Sequence, residues 1–86
     1  MEKHIMSDTY FYTKTRDRIG TIRTEVFKME NGLFQAYSYY SRDEDEETSG
    51  FAESFDEEQA VMLSRKDLRK EWKAEQERIA NASTLT

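Results

Sequence analysis

Five consecutive acids, Asp43, Glu44, Asp45, Glu46 and Glu47, stand in the stretch SRDEDEETSG between a tyrosine-rich segment and Gly50. Asp43, Asp45 and Glu47 fall at alternate positions, as the first ligands of a calcium loop do. The match then fails, because Thr48 stands where the sixth-position glycine belongs and Ser54 where the twelfth-position acid belongs. The run is therefore read without a metal. Catalytic parts are equally sparse. The only histidine is His4, in a polar N-terminal segment, and there is no cysteine, so a Ser, Thr or Tyr nucleophile would lack a histidine base in a structured region. Carboxylates are abundant, but paired-acid catalysis needs two of them held in a pocket with separated pKa values, which a thin core does not offer. Gly20, Gly32 and Gly50 each sit at an expected turn, not in a phosphate-cradling loop. The chain is expected to be no enzyme, with no cofactor.

Charge offers the acids a different chemistry. Residues 41–60 hold one Lys/Arg against nine Asp/Glu, while the segments on either side are mildly basic. If Glu53, Asp56, Glu57 and Glu58 fold back beside Asp43–Glu47, their spaced negative charge imitates a phosphate backbone and steers a basic protein toward it. The competing reading is a solvated turn that keeps a sheet edge from aggregating.

The elements that must position these residues follow from local pattern. Residues 9–16 (TYFYTKTR) are β-branched, aromatic and polar, which favours a strand. A turn follows at Asp17–Gly20, and residues 21–30 and 33–41 flank Asn31-Gly32, a dipeptide suited to a hairpin turn. With a two-residue loop, Met29 faces Phe34, Phe27 faces Ala36 and Val26 faces Tyr37. A three-residue loop slips the pairing by one and exchanges the two sets on the second strand. In either register both sheet faces hold aromatics, and one helix can cover only one of them. Residues 49–55 (SGFAESF) form a further short strand. Asp56 then caps a helix, with Gln59 completing a capping box, Phe55 placed to pack on Ala60, and Glu57 and Glu58 favouring the helix dipole. Val61, Leu68, Trp72 and Ile79 lie on one helix face, and Ser64 with Asp67 forms a second capping box that predicts a kink near Ser64. The expected fold is α+β: an antiparallel meander of three to four strands followed by a C-terminal helix packed on one sheet face. The expected organisation is a flexible N-terminus over 1–8, a single domain over 9–80 and a flexible C-terminus over 81–86.

Composition bounds the rest. A chain of 86 residues, 36% apolar and 36% charged, builds a thin and largely aromatic core of modest stability. The absence of cysteine suits a reducing cytosol, and the first twenty residues lack an apolar stretch of signal-peptide type. The chain is expected to be cytoplasmic, with no membrane partner.

Gly50 to Val61 (GFAESFDEEQAV) resembles the junction of the RNA recognition motif where its aromatic third strand enters the second helix. It departs from that motif at Glu53, which stands where a stacking aromatic belongs, and in the order of its elements. That resemblance implies base stacking by a sheet bearing Tyr10, Tyr12, Tyr37, Tyr39 and Tyr40 with Lys14, Arg16, Arg18 and Arg23. The acidic window opposes it by repelling a polyanion. In size, acidity and lack of catalytic parts, the whole chain resembles small phage-encoded inhibitors, anti-CRISPR and anti-restriction proteins among them, some of which block a nucleic-acid groove as DNA mimics. This resemblance implies a protein-binding inhibitor whose target is a basic, nucleic-acid-handling protein. The expected contact residues are Asp43, Glu44, Asp45, Glu46, Glu47, Glu53, Asp56, Glu57 and Glu58, with one aromatic sheet face, either Phe27, Met29 and Phe34 or Tyr37 and Tyr39, supplying buried area. Direct nucleic-acid binding through the tyrosine-rich sheet is the alternative, and a homodimer formed at a sheet edge or over the second aromatic face is a third reading.

Overall fold

The computed structural model describes residues 2–41 and 48–84, with side chains as far as residue 80, so the acidic run Asp43–Glu47 lies outside the described residues. Five strands, β1 (Lys3–Ser7), β2 (Tyr10–Arg16), β3 (Thr21–Lys28), β4 (Phe34–Tyr40) and β5 (Ser49–Ser54), precede one helix, α1 (Glu57–Thr84). The strands form a single antiparallel meander in the order β1-β2-β3-β4-β5. The α+β class is as expected, with one strand more than the upper expectation. The extra strand lies where a flexible N-terminus was expected: Lys3, His4 and Ile5 pair with Thr13, Tyr12 and Phe11 of β2.

The β3–β4 turn sets which side chains face the helix. Met29 N–H donates to the Leu33 carbonyl (2.8 Å) and Gly32 N–H to the Met29 carbonyl (3.0 Å). Glu30, Asn31 and Gly32 thus make a three-residue loop, with Gly32 at φ 87°, a left-handed conformation that glycine adopts without a steric penalty. Val26 consequently pairs with Ala36, not with Tyr37, and Phe27 with Gln35. The slip sends Ile22, Val26, Ala36 and Tyr40 to one face and Phe27, Tyr37 and Tyr39 to the other.

Helix α1 packs on the first of these faces. Ile22, Val26, Ala36, Tyr40, Ala60, Val61 and Leu68 are buried, each large aliphatic among them contributing about 1.5–3 kcal/mol. Between the apolar rows, Thr13, Thr24, Ser38 and Gly50 stand side by side across β2 to β5. This row of small residues lets the helix backbone approach closely: a Cβ on Gly50 would lie 2.1 Å from the Ser64 carbonyl oxygen and 2.3 Å from the Leu68 nitrogen. The hydroxyls of the row form a directed chain. Ser64 donates to the Val61 carbonyl (2.8 Å), so Ser38 must donate to Ser64 (2.7 Å) and Thr24 to Ser38 (2.8 Å). The chain starts at Arg65, whose Nε–H donates to Thr24 Oγ1 (3.1 Å). Each buried hydroxyl is thereby satisfied, avoiding about 1–3 kcal/mol for a buried orphan.

Asp56 caps the helix as expected, accepting from Gln59 N–H at 3.2 Å. Gln59 turns its side chain to the Ser54 hydroxyl (2.8 Å), and that hydroxyl accepts from Asp56 N–H (3.0 Å). Phe55 is exposed and makes no staple. The helix runs without a break and restart at Ser64, because Ser64 is spent on the hydroxyl chain and the Asp67 carboxylate accepts from Phe51 N–H of β5 (3.0 Å). At 28 residues the helix is about 42 Å long, against about 23 Å for a strand of 7 residues such as β4. Its last turns run past the sheet, which leaves Ile79 53% exposed although it continues the stripe of Val61, Leu68 and Trp72.

Asp17 ties the far end of the sheet to the helix. Its carboxylate accepts from Tyr40 O–H (2.8 Å), Ile19 N–H (2.9 Å) and Gly20 N–H (3.2 Å), and Arg69 Nε stands 3.6 Å away. Desolvation alone would raise its pKa, but the hydrogen bonds from Tyr40, Gly20, Ile19 and Arg69 together hold it below the usual 3.8. For Tyr40, burial and the Asp17 carboxylate push the pKa up to about 12. A depressed acid stabilises the fold above its unfolded pKa, and that contribution is lost as pH falls through the folded value. A raised tyrosine stabilises below its unfolded pKa of 10.0 and is lost as pH rises toward 12. Thermal melts across pH should therefore fall off below about 4 and again above about 10. Asp17→Asn should flatten the acid limb; an unchanged limb would remove Asp17 from this role.

Candidate functional site

The helix lies on one face of the sheet, and among the described residues the side chains of the opposite face meet no other element. Cross-strand register places Tyr10, Phe27, Gln35 and Glu53 in one row of that face, and His4, Tyr12, Glu25, Tyr37 and Phe51 in the next. Lys14, Arg23, Tyr39 and Ser49 make the third. Seven aromatic rings thus share one uncovered face, each sent there by strand alternation once the hairpin register is set.

The rings contact one another across the strands. His4 stacks on Tyr12 with centroids 4.6 Å apart and planes 9° apart, and Tyr10 on Phe27 at 4.8 Å and 25°. Phe27 meets Tyr37 edge-on at 5.9 Å, and Tyr37 meets Phe51 at 4.8 Å. Arg23 lies over Tyr12, its guanidinium carbon 4.0 Å from the ring centroid. His4 with Tyr12 and Tyr10 with Phe27 thus turn ring faces to each other, while Tyr37 meets Phe27 edge-on. Base recognition on a sheet uses ring faces turned outward.

Glu25 is the polar hub of this surface. One carboxylate oxygen accepts from Tyr10 O–H and Tyr39 O–H, both at 3.1 Å, and Arg23 Nη2 stands 3.4 Å away. The carboxylate is matched by these donors, so the centre of the face carries no unopposed charge. Tyr37 and Phe51, 38% and 41% exposed, stand clear beside this hub, and Met29 extends the apolar surface at the β3–β4 turn.

β5 runs from Ser49, opposite Tyr39, to Ser54, opposite Phe34. Thr48, next to the acidic run, is therefore at one end of the sheet, while Glu53, Asp56, Glu57 and Glu58 are at the other. Of the nine expected carboxylates, Asp43–Glu47 lie outside the described residues, and the second half, Glu53, Asp56, Glu57 and Glu58, stands where β5 enters α1. The second half gathers companions the sequence reading did not assign. Asp8 in the β1–β2 turn and Glu30 in the β3–β4 turn belong to the same end, where Lys28 N–H donates to the Thr9 carbonyl at 2.8 Å. Lys3 pairs with Glu57 there. Tyr37 and Tyr39 do share the open face as contact residues should, though Tyr39 spends its hydroxyl on Glu25.

Phe27, Tyr10 and Tyr12 lie on the same face, and Phe51 and His4 join them without having been assigned a contact role. The alternation Phe51-Ala52-Glu53 already carried the signal for Phe51, since its ring must face away from the helix once Ala52 faces it.

Among the described residues no group of three or more His, Asp or Glu side chains is arranged to hold a metal ion, and no helix is long and apolar enough to cross a membrane. By architecture the chain is a five-stranded antiparallel meander with one helix on one face and a ring-covered opposite face. Comparison with protein-family models, with curated proteins and with solved structures finds no match.

Proposed function

We propose that this chain is a non-enzymatic protein-binding module or inhibitor that docks through the open face of its sheet onto a basic, nucleic-acid-handling protein in the cytoplasm. The observation that carries the reading is the pair of adjacent rows bearing Tyr10 and Phe27, then Tyr37 and Phe51, whose rings meet at 4.8–5.9 Å on the face away from the helix. Aromatic anchors of this kind supply most of the energy of a protein interface. The carboxylates Asp8, Glu30, Glu53, Asp56, Glu57 and Glu58 bound the face at one end, and the run Asp43–Glu47 adds to the negative field, so a basic partner is drawn in and oriented. A defence nuclease or a CRISPR effector has a surface of this kind.

Two measurements test it. Neutralising Asp43, Glu44, Asp45, Glu46 and Glu47 to Asn or Gln should slow association about tenfold or more while leaving dissociation nearly unchanged, and raising salt should do the same; salt-insensitive association argues against the acidic surface. A gel shift with a labelled single strand at low salt tests the rival chemistry. No shift below about 10 μM is expected, and a tight shift would replace protein docking with base stacking.

A further inference from the structure

The two edges of the sheet are not equivalent. At β5, the outward N–H of Phe51 is taken by the Asp67 carboxylate (3.0 Å), and the helix packs more closely on this strand than on any other. At β1, every residue from Lys3 to Ser7 is exposed, and among the described residues nothing bonds the outer side of His4, Ile5 or Met6. Edges of this kind are usually guarded by charge. Here the guard is withdrawn, because the Lys3 ammonium is folded back onto Glu57 and over the Phe11 ring, 5.1 Å from its centroid. A bulge after Ile5 interrupts only the last part of the strand.

The core itself is unfinished at this edge. One helix-side row runs Ala52, Ala36, Val26, Phe11 and Ile5 across the five strands. It is buried at Ala36 and Val26, half-buried at Phe11 and 73% exposed at Ile5.

We infer that β1 pairs antiparallel with β1 of a second copy, with Ile5 opposite Ile5 on the two-fold axis, joining two sheets into one of ten strands. The blocked β5 edge prevents a head-to-tail β1–β5 contact, so pairing closes at two chains and does not propagate into a fibre. In this register the two Ile5 side chains cover each other and the two core rows become one. The open aromatic faces then lie on the same side of the joined sheet. The inference stands on the edges and is independent of what docks on the faces. A single short strand pair is a small interface, so the dimer is weak and concentration-dependent.

Sedimentation equilibrium of the full chain over the micromolar range tests it, alongside Ile5→Lys and the double variant Tyr37→Ser/Phe51→Ser. The expected result is a rise from monomer to dimer mass for the wild type and the double variant, with Ile5→Lys remaining monomeric at an unchanged melting midpoint. A second measurement does not depend on that variant's folding. The chain lacks cysteine, and antiparallel partners place Cα atoms about 4.5–5.5 Å apart, within disulfide reach. Ile5→Cys should therefore give a disulfide-linked dimer under mild oxidation at least tenfold faster than Ile79→Cys. A wild type that stays monomeric, a dimer lost in the double variant but kept in Ile5→Lys, or equal crosslinking at the two cysteines overturns the inference.

Discussion

Gly50→Ala should destabilise the fold by about 3 kcal/mol, the upper part of the range for overpacking a close contact, and lower the melting midpoint by about 12–20 °C for a domain of this size. The added methyl has nowhere to go. It would lie 2.1 Å from the Ser64 carbonyl oxygen and 2.8 Å from the Leu68 Cα, and both are helix backbone, which cannot swing aside as a side chain can. To accept the methyl, the helix must lift from β5. That movement stretches the Ser38–Ser64 contact of 2.7 Å and the Phe51–Asp67 hydrogen bond of 3.0 Å together. Urea or thermal unfolding monitored by circular dichroism measures the loss. A change below about 0.5 kcal/mol, the usual range for an unconstrained surface substitution, would mean that the helix does not sit against Gly50 as described.

The second large effect falls on binding. Tyr37→Ser/Phe51→Ser removes two exposed rings of the open face, and should weaken the complex at least 100-fold, each ring being worth about 2 kcal/mol or more if it sits at the centre of the contact. Stability should change little, because both rings lie on the face away from the helix and bury only against neighbouring rings. The combination separates contact from folding: a double variant that melts like the wild type and has lost its partner implicates the face. Titration calorimetry on the two proteins gives the affinity ratio directly. Loss of less than threefold would shift the contact elsewhere.

Much of this architecture is legible in the sequence because it rests on short-range chemistry. Asn31-Gly32 marks the hairpin, Asp56 with Gln59 marks the helix start, and aromatic β-branched segments mark the strands. Register is less accessible. Whether Asn31-Gly32 is spanned by two residues or three depends on one hydrogen bond, between Met29 N–H and the Leu33 carbonyl, and that single choice decides which of Phe34 and Tyr37 faces the helix. β1 is hard to read for a different reason. KHIMS sets its two apolar residues, Ile5 and Met6, side by side and is exposed throughout, so it carries no alternation, and only pairing with β2 makes it a strand. The same distinction applies to the site. That both faces hold aromatics follows from composition and alternation in either register, whereas the placing of Glu53, Asp56, Glu57 and Glu58 at the end of the sheet away from Thr48 follows from the direction of β5. Contiguity in sequence says nothing about the 6 residues of extended strand that intervene. Ile79 keeps the helical spacing of Leu68 and Trp72 and is nonetheless exposed, because periodicity is a property of the helix and burial depends on where the sheet ends.

The central claim is that the ring-covered face is a protein-docking surface, and the most direct measurement is a nuclease-treated capture from native lysate read by quantitative mass spectrometry. Wild type and Tyr37→Ser/Phe51→Ser are compared at equal loading. The account predicts a nucleic-acid-handling protein retained by the wild type and depleted about tenfold or more on the double variant, as loss of central aromatic anchors requires. Retention of the same proteins in equal amounts by both would contradict it.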